Sequence, residues 1–383
     1  MTAATDDRAL DRAGDPGSAG RALGVAIGPW ILSRALVAAA LATARHVADT
    51  AFAGRPPTID HGLLAWDAAW YGDIAKFGYE GVDPAGLRFF PLLPLLGRAV
   101  GAIVPGIDAG KGVVVVANLA ALWFLVKLHR FVVRESGDAD TARRAVWIGV
   151  LAPPAFVLVM GYAESVLLLA AVGAIDATRR GRPWRALPWA IVAGLARPTG
   201  ILVAIPLLVE VFERWRPARP RDRLAGLAAA AGAPIGQLVF LVWARERAGS
   251  LFEPLRIHNR TTLRGGVVNP LGAMWDALSD LRLGDRFGSG LHFFTAIVLL
   301  SLLVHIWRRG PRSMFWYALA SSVIGLSAAN LDSIERYAFA TLPFIVAGAT
   351  LTERPMVERY VLVLSGTGLV AMSMLAFFGT LVP

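Results

Sequence analysis

The chain has 383 residues, of which 56% are hydrophobic and only 17% are charged, and its formal net charge at pH 7 is +10. A water-soluble protein of this composition would lack the polar side chains to cover its surface, so the composition predicts an integral membrane protein. The positive charge does not indicate nucleic-acid binding, because the arginines lie between apolar segments, as in cytoplasmic loops that face anionic lipid. Cysteine is absent, which excludes disulfides and thiolate metal sites within this sequence.

The N-terminal segment 1–21 is polar and contains glycine and proline but no apolar run. It is predicted to form a disordered cytoplasmic tail and not a signal peptide. Residues 22–383 are predicted to form a single transmembrane domain of the all-α polytopic class, with about 9–11 membrane crossings of about 20 residues each. The apolar windows that predict these crossings lie near residues 22–45, 111–133, 144–160, 162–178, 224–244, 289–307, 313–330, 337–352 and 357–381.

Arginine clusters between these windows predict the orientation of the chain, because basic loops remain in the cytoplasm. This rule predicts that the N-terminus is cytoplasmic and that segments 46–110 and 245–288 lie on the outer side of the membrane. The abundance of alanine, glycine and arginine is typical of a protein from a GC-rich bacterial genome, so the expected location is a bacterial plasma membrane. The clusters are Arg130, Arg134, Arg143 and Arg144; Arg179, Arg180, Arg182 and Arg185; and Arg308, Arg309 and Arg312.

The segment 186–213 has basic clusters on both sides and the sequence Arg197-Pro198-Thr199-Gly200 in its middle. A single crossing would place one basic cluster outside, whereas two half-helices that meet at this turn keep both inside. Irregular backbone within a membrane is tolerated only where protein buries it or where it lines a cavity. Arg197 is therefore predicted to point into a cavity or to lie near the outer interface.

The stretch 66–94 combines aromatic and acidic residues at the predicted outer surface. Its aromatic rings favour helices that lie in the membrane interface. Asp67 follows an apolar run, and a partly buried carboxylate that nearby cations keep ionised is suited to act as a general base. A helix-capping role is the alternative for Asp67. Asp73 comes six residues later, on the opposite side of the same helix, and is predicted to be a solvated or structural acid.

Charged residues at three other places lie within apolar surroundings, where a charge at mid-membrane costs about 2.5–3.5 kcal/mol and usually marks a site or an ion pair. Glu164 is expected at the outward end of a helix, where the helix dipole favours a first-turn acid. For Arg197, the alternatives are a pair with an acid such as Glu164 or Asp67, or binding of an anionic lipid headgroup. Arg336 and Tyr337 are predicted to anchor another outward helix end in the interface.

Four sequence motifs in this order resemble the PIG-V-type family, which comprises GPI mannosyltransferase II and its bacterial relatives. The first has the form W-D-(x)6-I-A-(x)2-G-Y, the second is F-F-P-(x)2-P, and the last two are a Y-A-E-S turn and an R-x-x-G turn. The resemblance covers roughly residues 25–210 and extends more loosely through Arg336-Tyr337 and Pro343. The matching positions are Trp66-Asp67, Ile74-Ala75, Gly78-Tyr79, Phe89-Phe90-Pro91, Pro94, Tyr162-Ala163-Glu164-Ser165 and Arg197-Pro198-Thr199-Gly200.

The resemblance implies a GT-C-type helical bundle that transfers a sugar with inversion on the extracytoplasmic side. The implied donor is polyprenyl-phosphate-mannose, and the implied acceptor is a lipid, a glycan or a protein. Asp67 would be the catalytic base, because similar enzymes place their catalytic acid in the first outer loop. Arginine suits the donor phosphate because its planar fork matches two phosphate oxygens. The predicted phosphate ligands are Arg197 and Arg336, with Arg256, His258 and Arg260 as alternatives; Trp66, Asp73, Tyr79, Glu164 and Tyr337 are expected to support the site.

No cofactor or catalytic metal is predicted, because the sequence contains no D-x-D pair and no H-E-x-x-H motif. The alternative is that Asp60, Asp67 and Asp73 together bind one metal ion. A transporter or flippase is the alternative function, since charges and interrupted helices within a membrane also mark transport sites. A transporter would be expected to show internal repeats, whereas the motifs at 66–94 have no counterpart in the second half. A scaffold without catalysis is the third hypothesis, and it predicts that Asp67 can be replaced without loss of function.

Overall fold

The computed structural model describes residues 16–51, 54–258, 266–282, 287–328, 331 and 333–381. Within these ranges the protein is helical and contains no β-strand apart from one isolated bridge between Val267 and Ala328. The α-helices are α1 (Pro16–Ala51), α2 (Pro57–His61), α3 (Asp67–Phe77), α4 (Leu92–Ile103), α5 (Ala109–Ser136), α6 (Ala139–Leu151), α7 (Glu164–Arg179), α8 (Pro183–Ala196), α9 (Ala204–Glu213), α10 (Pro220–Ala248), α11 (Glu253–His258), α12 (Pro270–Arg282), α13 (Phe287–Arg309), α14 (Arg312–Leu326), α15 (Ile334–Phe339), α16 (Leu342–Leu351) and α17 (Pro355–Phe377). Short 3₁₀ helices cover Gly62–Leu64, Pro84–Arg88, Pro153–Leu158 and Pro198–Val203.

Five of the described helices are long and apolar enough to cross a membrane, namely α1 from Ala19, α5, α10, α13 from His292, and α17. The predicted all-α polytopic class is confirmed. The other apolar windows form shorter helices; α7, for example, has 16 residues, and most of its side chains are buried inside the bundle. A helix that is apolar on all sides belongs in such a core. The number of crossings, about 9–11, stays a prediction.

The first helix begins at Pro16, six residues before the apolar window that predicts it. Proline is well tolerated in the first turn of a helix, where its missing N–H would have no partner. Residues 16–21 of the predicted disordered tail are therefore helical, which corrects that boundary. Residues 1–15 of the predicted tail lie outside the described residues.

The segment 186–213 is broken as predicted. Helix α8 ends at Ala196, Arg197 adopts an extended backbone (φ −157°, ψ 158°), and a 3₁₀ turn leads into α9. The break follows from Pro198, which disfavours a helical conformation at the residue before it. Glycine is required at Gly200, because a Cβ there would collide with the carbonyl oxygen of Ala193. The two half-helices return the chain to the end from which it came.

The first predicted outer segment folds into α2, α3 and α4, with α3 and α4 packed against α5. Helix α2 is attached to the C-terminal end of α17, because Thr58 Oγ1 donates a 2.5 Å hydrogen bond to the carbonyl oxygen of Phe377. The aromatic residues pack on one another: the rings of Trp70 and Phe89 stack with centroids 5.6 Å apart. This packing fixes the position of α3, whose first residue is Asp67.

Candidate active site

Asp67 is placed by an unusual backbone conformation at the preceding residue. Trp66 has φ 59° and ψ −129°, a region that glycine adopts easily and other residues adopt at a cost on the order of 1–3 kcal/mol. The Trp66 indole N–H donates a 2.8 Å hydrogen bond to the carbonyl oxygen of Ala376, which holds this conformation. Trp66 occupies the N-cap position of α3, so the helix-capping alternative for Asp67 is wrong.

The carboxylate of Asp67 is bonded to Arg336, which lies 269 positions away in the chain. Arg336 Nη1 donates to Asp67 Oδ2 over 2.5 Å. The Asp67 side chain is 26% exposed, whereas the guanidinium of Arg336 is buried. The prediction that Arg336 anchors a helix end in the interface is therefore wrong, because its charge points into the protein and meets an acid.

A second ion pair adjoins the first. Glu164 is the first residue of α7 and is completely buried, and its carboxylate pairs with Arg197. The same Oε1 atom lies 3.3 Å from Arg336 Nε. Of the two alternatives for Arg197, pairing with an acid is the one found. Asp67, Arg336, Glu164 and Arg197 form one chain of alternating charges, which we call the charge quartet.

Two aromatic rings lie against the arginines of the quartet, and a buried polar contact lies next to Arg336 on α15. The Arg336 guanidinium lies 5.5 Å from the ring centroid of Tyr162, and the Arg197 guanidinium lies 5.9 Å from that of Tyr337. Such distances suit a cation over an aromatic face. Next to Arg336 on α15, Glu335 Oε1 is 2.8 Å from His292 Nδ1 of α13, and both side chains are buried. This contact holds the short helix α15 that presents Arg336.

A third arginine influences the Asp67 carboxylate. Burial raises the pKa of Asp67, but the charge and hydrogen bond of Arg336, followed by the charges of Arg88 and Arg197, lower it below the ordinary value. Arg88 is half-buried at the end of the 3₁₀ helix Pro84–Arg88, with its guanidinium 4.7 Å from the ring centroid of Phe89. Among the described residues, no carboxylate lies within ion-pair distance of Arg88. Asp67 is thus ionised at neutral pH, and Arg88, one of the cations whose charge lowers its pKa, has no acidic partner there.

Arg88 and Tyr162 were not among the predicted site residues. Arg88 immediately precedes the F-F-P motif, and Tyr162 begins the Y-A-E-S motif, so their position next to or within matched motifs is the signal that was available. A basic residue within an apolar and aromatic stretch is the stronger of these signals, because such a charge usually marks a site or a pair.

Other predicted site residues lie apart from the quartet. Asp73 is exposed on α3, as predicted from its offset to Asp67. Tyr79 donates a 2.6 Å hydrogen bond to the carbonyl oxygen of Phe89 and packs against Trp243 of α10, with ring centroids 4.9 Å apart. Arg256 is exposed on α11 and makes no ion pair with the quartet in the described part of the chain. The side chain of His258 and the whole of Arg260 lie outside the described residues. The roles assigned to these residues stay predictions.

Within the described ranges, no three His, Cys, Asp or Glu side chains come close enough to hold a metal ion. Asp60, which was considered as a ligand together with Asp67 and Asp73, lies 3.8 Å from Arg55 Nη1 at the surface. The three aspartates therefore do not gather around a common point. Independence from metal ions stays a prediction.

Comparison with known proteins agrees with the sequence motifs. Residues 37–215 match the family described as mannosyltransferase (PIG-V). This segment contains Asp67, Glu164 and Arg197 of the quartet. The predicted resemblance is confirmed over these residues. No curated protein matches the sequence.

Two solved structures of an oligosaccharyltransferase from the archaeon Archaeoglobus fulgidus are similar to this chain. One is AglB in complex with an inhibitory peptide and a dolichol-phosphate (12% identity, TM-score 0.44), and the other is the apo form (12% identity, TM-score 0.43). Each match covers 92% of this chain and 55% of the other. This chain thus spans about half the length of the oligosaccharyltransferase.

Proposed function

We propose that this protein, whose residues 37–215 match the mannosyltransferase (PIG-V) family, transfers mannose from polyprenyl-phosphate-mannose to a lipid, glycan or protein acceptor on the extracytoplasmic side of a bacterial plasma membrane. One observation carries the proposal: the partly exposed carboxylate of Asp67 lies beside Arg336 and within reach of the charge of Arg88. Sugar transfer from a lipid phosphate needs both groups, because the acceptor hydroxyl must lose a proton and the departing phosphate gains negative charge.

The proposed reaction is a single displacement. The acceptor oxygen attacks the anomeric carbon of the sugar while Asp67 takes the hydroxyl proton, and the bond from that carbon to the phosphate oxygen breaks. The electron pair of the broken bond remains on the polyprenyl phosphate, and the anomeric configuration inverts. In the absence of donor, the positive charge of Arg336 lowers the pKa of Asp67 and so makes Asp67 a weaker base. Binding of an anionic phosphate beside Arg336 would offset this effect and make Asp67 a stronger base.

Arg88 is the residue that we assign first to the donor phosphate. Arg197 and Arg336 each already face a carboxylate, whereas Arg88 has no acidic partner among the described residues. Contact with Phe89 and Trp70 keeps the Arg88 guanidinium half-buried, where its interaction with an anion is less screened by water. Arg336 would bind the phosphate together with Arg88, and Arg197 would chiefly hold Glu164 in place. The alternatives Arg256, His258 and Arg260 remain to be compared with Arg88.

Replacement of Arg88 by glutamine is expected to lower kcat/KM for the lipid-linked donor by about tenfold to hundredfold, the loss typical of a hydrogen bond to a charged group. The effect should fall mainly on KM for the donor, measured by varying donor at saturating acceptor. Arg98→Gln is the matched control, because Arg98 donates a 2.8 Å hydrogen bond to the carbonyl oxygen of Ala75 at the other end of α3. An Arg98 variant that raises KM as much as the Arg88 variant would contradict the assignment.

The function itself is tested by reconstituting the protein into liposomes with synthetic polyprenyl-phosphate-mannose labelled in the sugar and with a membrane lipid extract as acceptor. The expected products are a labelled acceptor and free polyprenyl phosphate, in equal amounts and unaffected by a chelator. Donors that carry glucose, arabinose or galactosamine determine the sugar specificity. If the intact donor moves across the bilayer and no labelled product forms, the protein is a flippase and not a glycosyltransferase.

A further inference from the structure

A basic cavity of about 400 Å³ lies at the end of α8 that is distant from the charge quartet. Helix α8 leads from this cavity to Arg197, and its 14 residues span about 21 Å. The cavity is therefore separate from the candidate active site. Its charged lining consists of Arg182, Arg185, Arg219, Arg221 and Asp222.

The lining contains four arginines and one acid. All four are exposed, and none takes part in an ion pair within the described part of the chain. Asp222 contributes one negative charge to the lining, so the cavity keeps an excess of positive charge. Like charges that are held close together repel, and binding of an anion relieves that repulsion.

The backbone adds to this positive potential. Helices α8 and α10 both begin at the cavity, with Pro183 and Pro220 as their first residues. Neither N-terminus has a side-chain cap, and the N-terminal end of a helix carries a partial positive charge that favours anions. The two helices pack closely, because a Cβ at Gly194 of α8 would collide with the backbone of α10. This packing holds the two N-termini side by side.

The surroundings of the cavity indicate which kind of anion it meets. Trp184 lines the cavity and is 58% exposed, and Leu224 on the first turns of α10 is 67% exposed. Exposed tryptophan beside exposed apolar side chains is typical of the boundary between headgroups and acyl chains in a membrane. The headgroups of anionic lipids are concentrated at that level, which favours a lipid phosphate as the ligand.

We propose that this cavity binds the phosphate group of an anionic phospholipid, with the four arginines around the phosphate and Trp184 at the level of the glycerol backbone. The arginines offer several donor forks to one phosphate, and basic pockets between helices at the predicted cytoplasmic side suit such headgroups. The proposal is independent of sugar transfer, because no residue of the charge quartet takes part in it.

The test measures lipid binding by the full-length protein in a neutral detergent. Dioctanoyl phosphatidylglycerol is titrated against wild type and Arg182→Gln/Arg219→Gln, and binding is followed by native mass spectrometry and by the rise in melting temperature. The double variant is expected to bind about thirtyfold more weakly, since each arginine near a membrane surface contributes about fivefold and the two contributions multiply. Arg308→Gln/Arg312→Gln is the matched control, because it removes two exposed arginines that do not line the cavity.

Three further ligands separate the sources of the anion. Dioctanoyl phosphatidylcholine has the same phosphate but no net charge and is expected to bind weakly to all variants. Glycerol phosphate and inorganic phosphate test whether a soluble phosphate suffices; if either matches phosphatidylglycerol and is lost in the Arg182/Arg219 variant, the phosphate site stands but its ligand comes from solution. Equal loss of phosphatidylglycerol binding in the control variant, or no loss in the cavity variant, would overturn the proposal.

Discussion

Replacement of Asp67 by asparagine is expected to lower kcat for sugar transfer by about 10²–10⁴-fold, the usual contribution of a general base. Asparagine has nearly the same size as aspartate but cannot take the acceptor proton at neutral pH. The KM for the donor should change little, because the phosphate is assigned to arginines and not to the carboxylate. The measurement is steady-state transfer of labelled mannose by purified, reconstituted variants.

The Asp67→Asn variant is expected to remain folded, since Arg336 keeps a second acidic neighbour in Glu164, 3.3 Å from its Nε. Loss of activity can therefore be separated from loss of structure by comparing elution profiles and melting temperatures with those of wild type. Asp73→Asn is the matched control, because it makes the same change on the same helix at an exposed position. Its kcat should stay within about twofold of wild type, as surface substitutions away from a site usually have small effects.

Continued transfer by the Asp67 variant at the wild-type rate would move the base elsewhere, with Glu164 and Asp73 as the next candidates. Equal losses in the Asp67 and Asp73 variants would point to a general effect on α3 instead of a specific one on proton transfer. If neither wild type nor variants transfer any sugar, and cells that carry the Asp67 variant grow normally, the results favour the scaffold hypothesis.

Glu164→Gln is expected to cause the largest loss of stability, about 3–5 kcal/mol in the free energy of unfolding. Glu164 is completely buried, and its removal leaves Arg197 inside the protein without its partner. A buried guanidinium without a counter-charge loses the hydration that it has in the unfolded chain and gains no compensating contact. The measurement is unfolding of the protein in detergent micelles, followed by tryptophan fluorescence.

Glu358→Gln is the matched control for this prediction. Glu358 pairs with Arg143 over 2.8 Å, but the guanidinium of Arg143 is exposed to solvent. Ion pairs with solvent access contribute about 0–1 kcal/mol, so the control variant should lose much less stability than Glu164→Gln. A loss of equal size in both variants would mean that the burial of Glu164 does not increase the contribution of its ion pair to the free energy of unfolding.

A double-mutant cycle isolates the interaction between Glu164 and Arg197. Each single replacement by glutamine leaves one charge of this pair without the other, whereas the double variant removes both, so its loss should be smaller than the sum of the two single losses by about 0.5–3 kcal/mol. Strict additivity would show that the two side chains do not interact in the folded protein.

The break at Arg197 shows how far local signals in a sequence reach. Pro198 determines the backbone of the residue before it, and basic clusters at both ends of 186–213 require the chain to return to the same side. Both rules act within about thirty residues, so no knowledge of the remaining chain was needed to predict two half-helices. The apolar windows predicted membrane helices for the same reason, although the chain extends α1 to Pro16 and divides other windows into shorter helices.

The pairing of charges is different, because several partners had the right chemistry. From the sequence, Arg197 could pair with Glu164 or Asp67 or bind a lipid headgroup, and Arg336 was predicted to anchor a helix end in the interface. The family resemblance implied instead that both arginines bind the donor phosphate. The structure pairs Arg197 with Glu164 and brings Arg336 to Asp67 from 269 positions away. Which acid meets which arginine depends on how α3, α7 and α15 pack, and hydrophobic periodicity carries no information about that choice.

The sequence by itself determined the membrane class, the helical secondary structure and the break at Arg197, and it was sufficient to predict Asp67 as the base, because composition, proline and short motifs act locally. Only the tertiary structure decided that Asp67, Arg336, Glu164 and Arg197 form one alternating chain of charges. It also decided that the charge of Arg88, which has no acidic partner among the described residues, acts on Asp67. The physical reason is that a charge is stabilised by whatever lies within a few ångströms of it. In a folded bundle those neighbours come from helices that are distant in sequence.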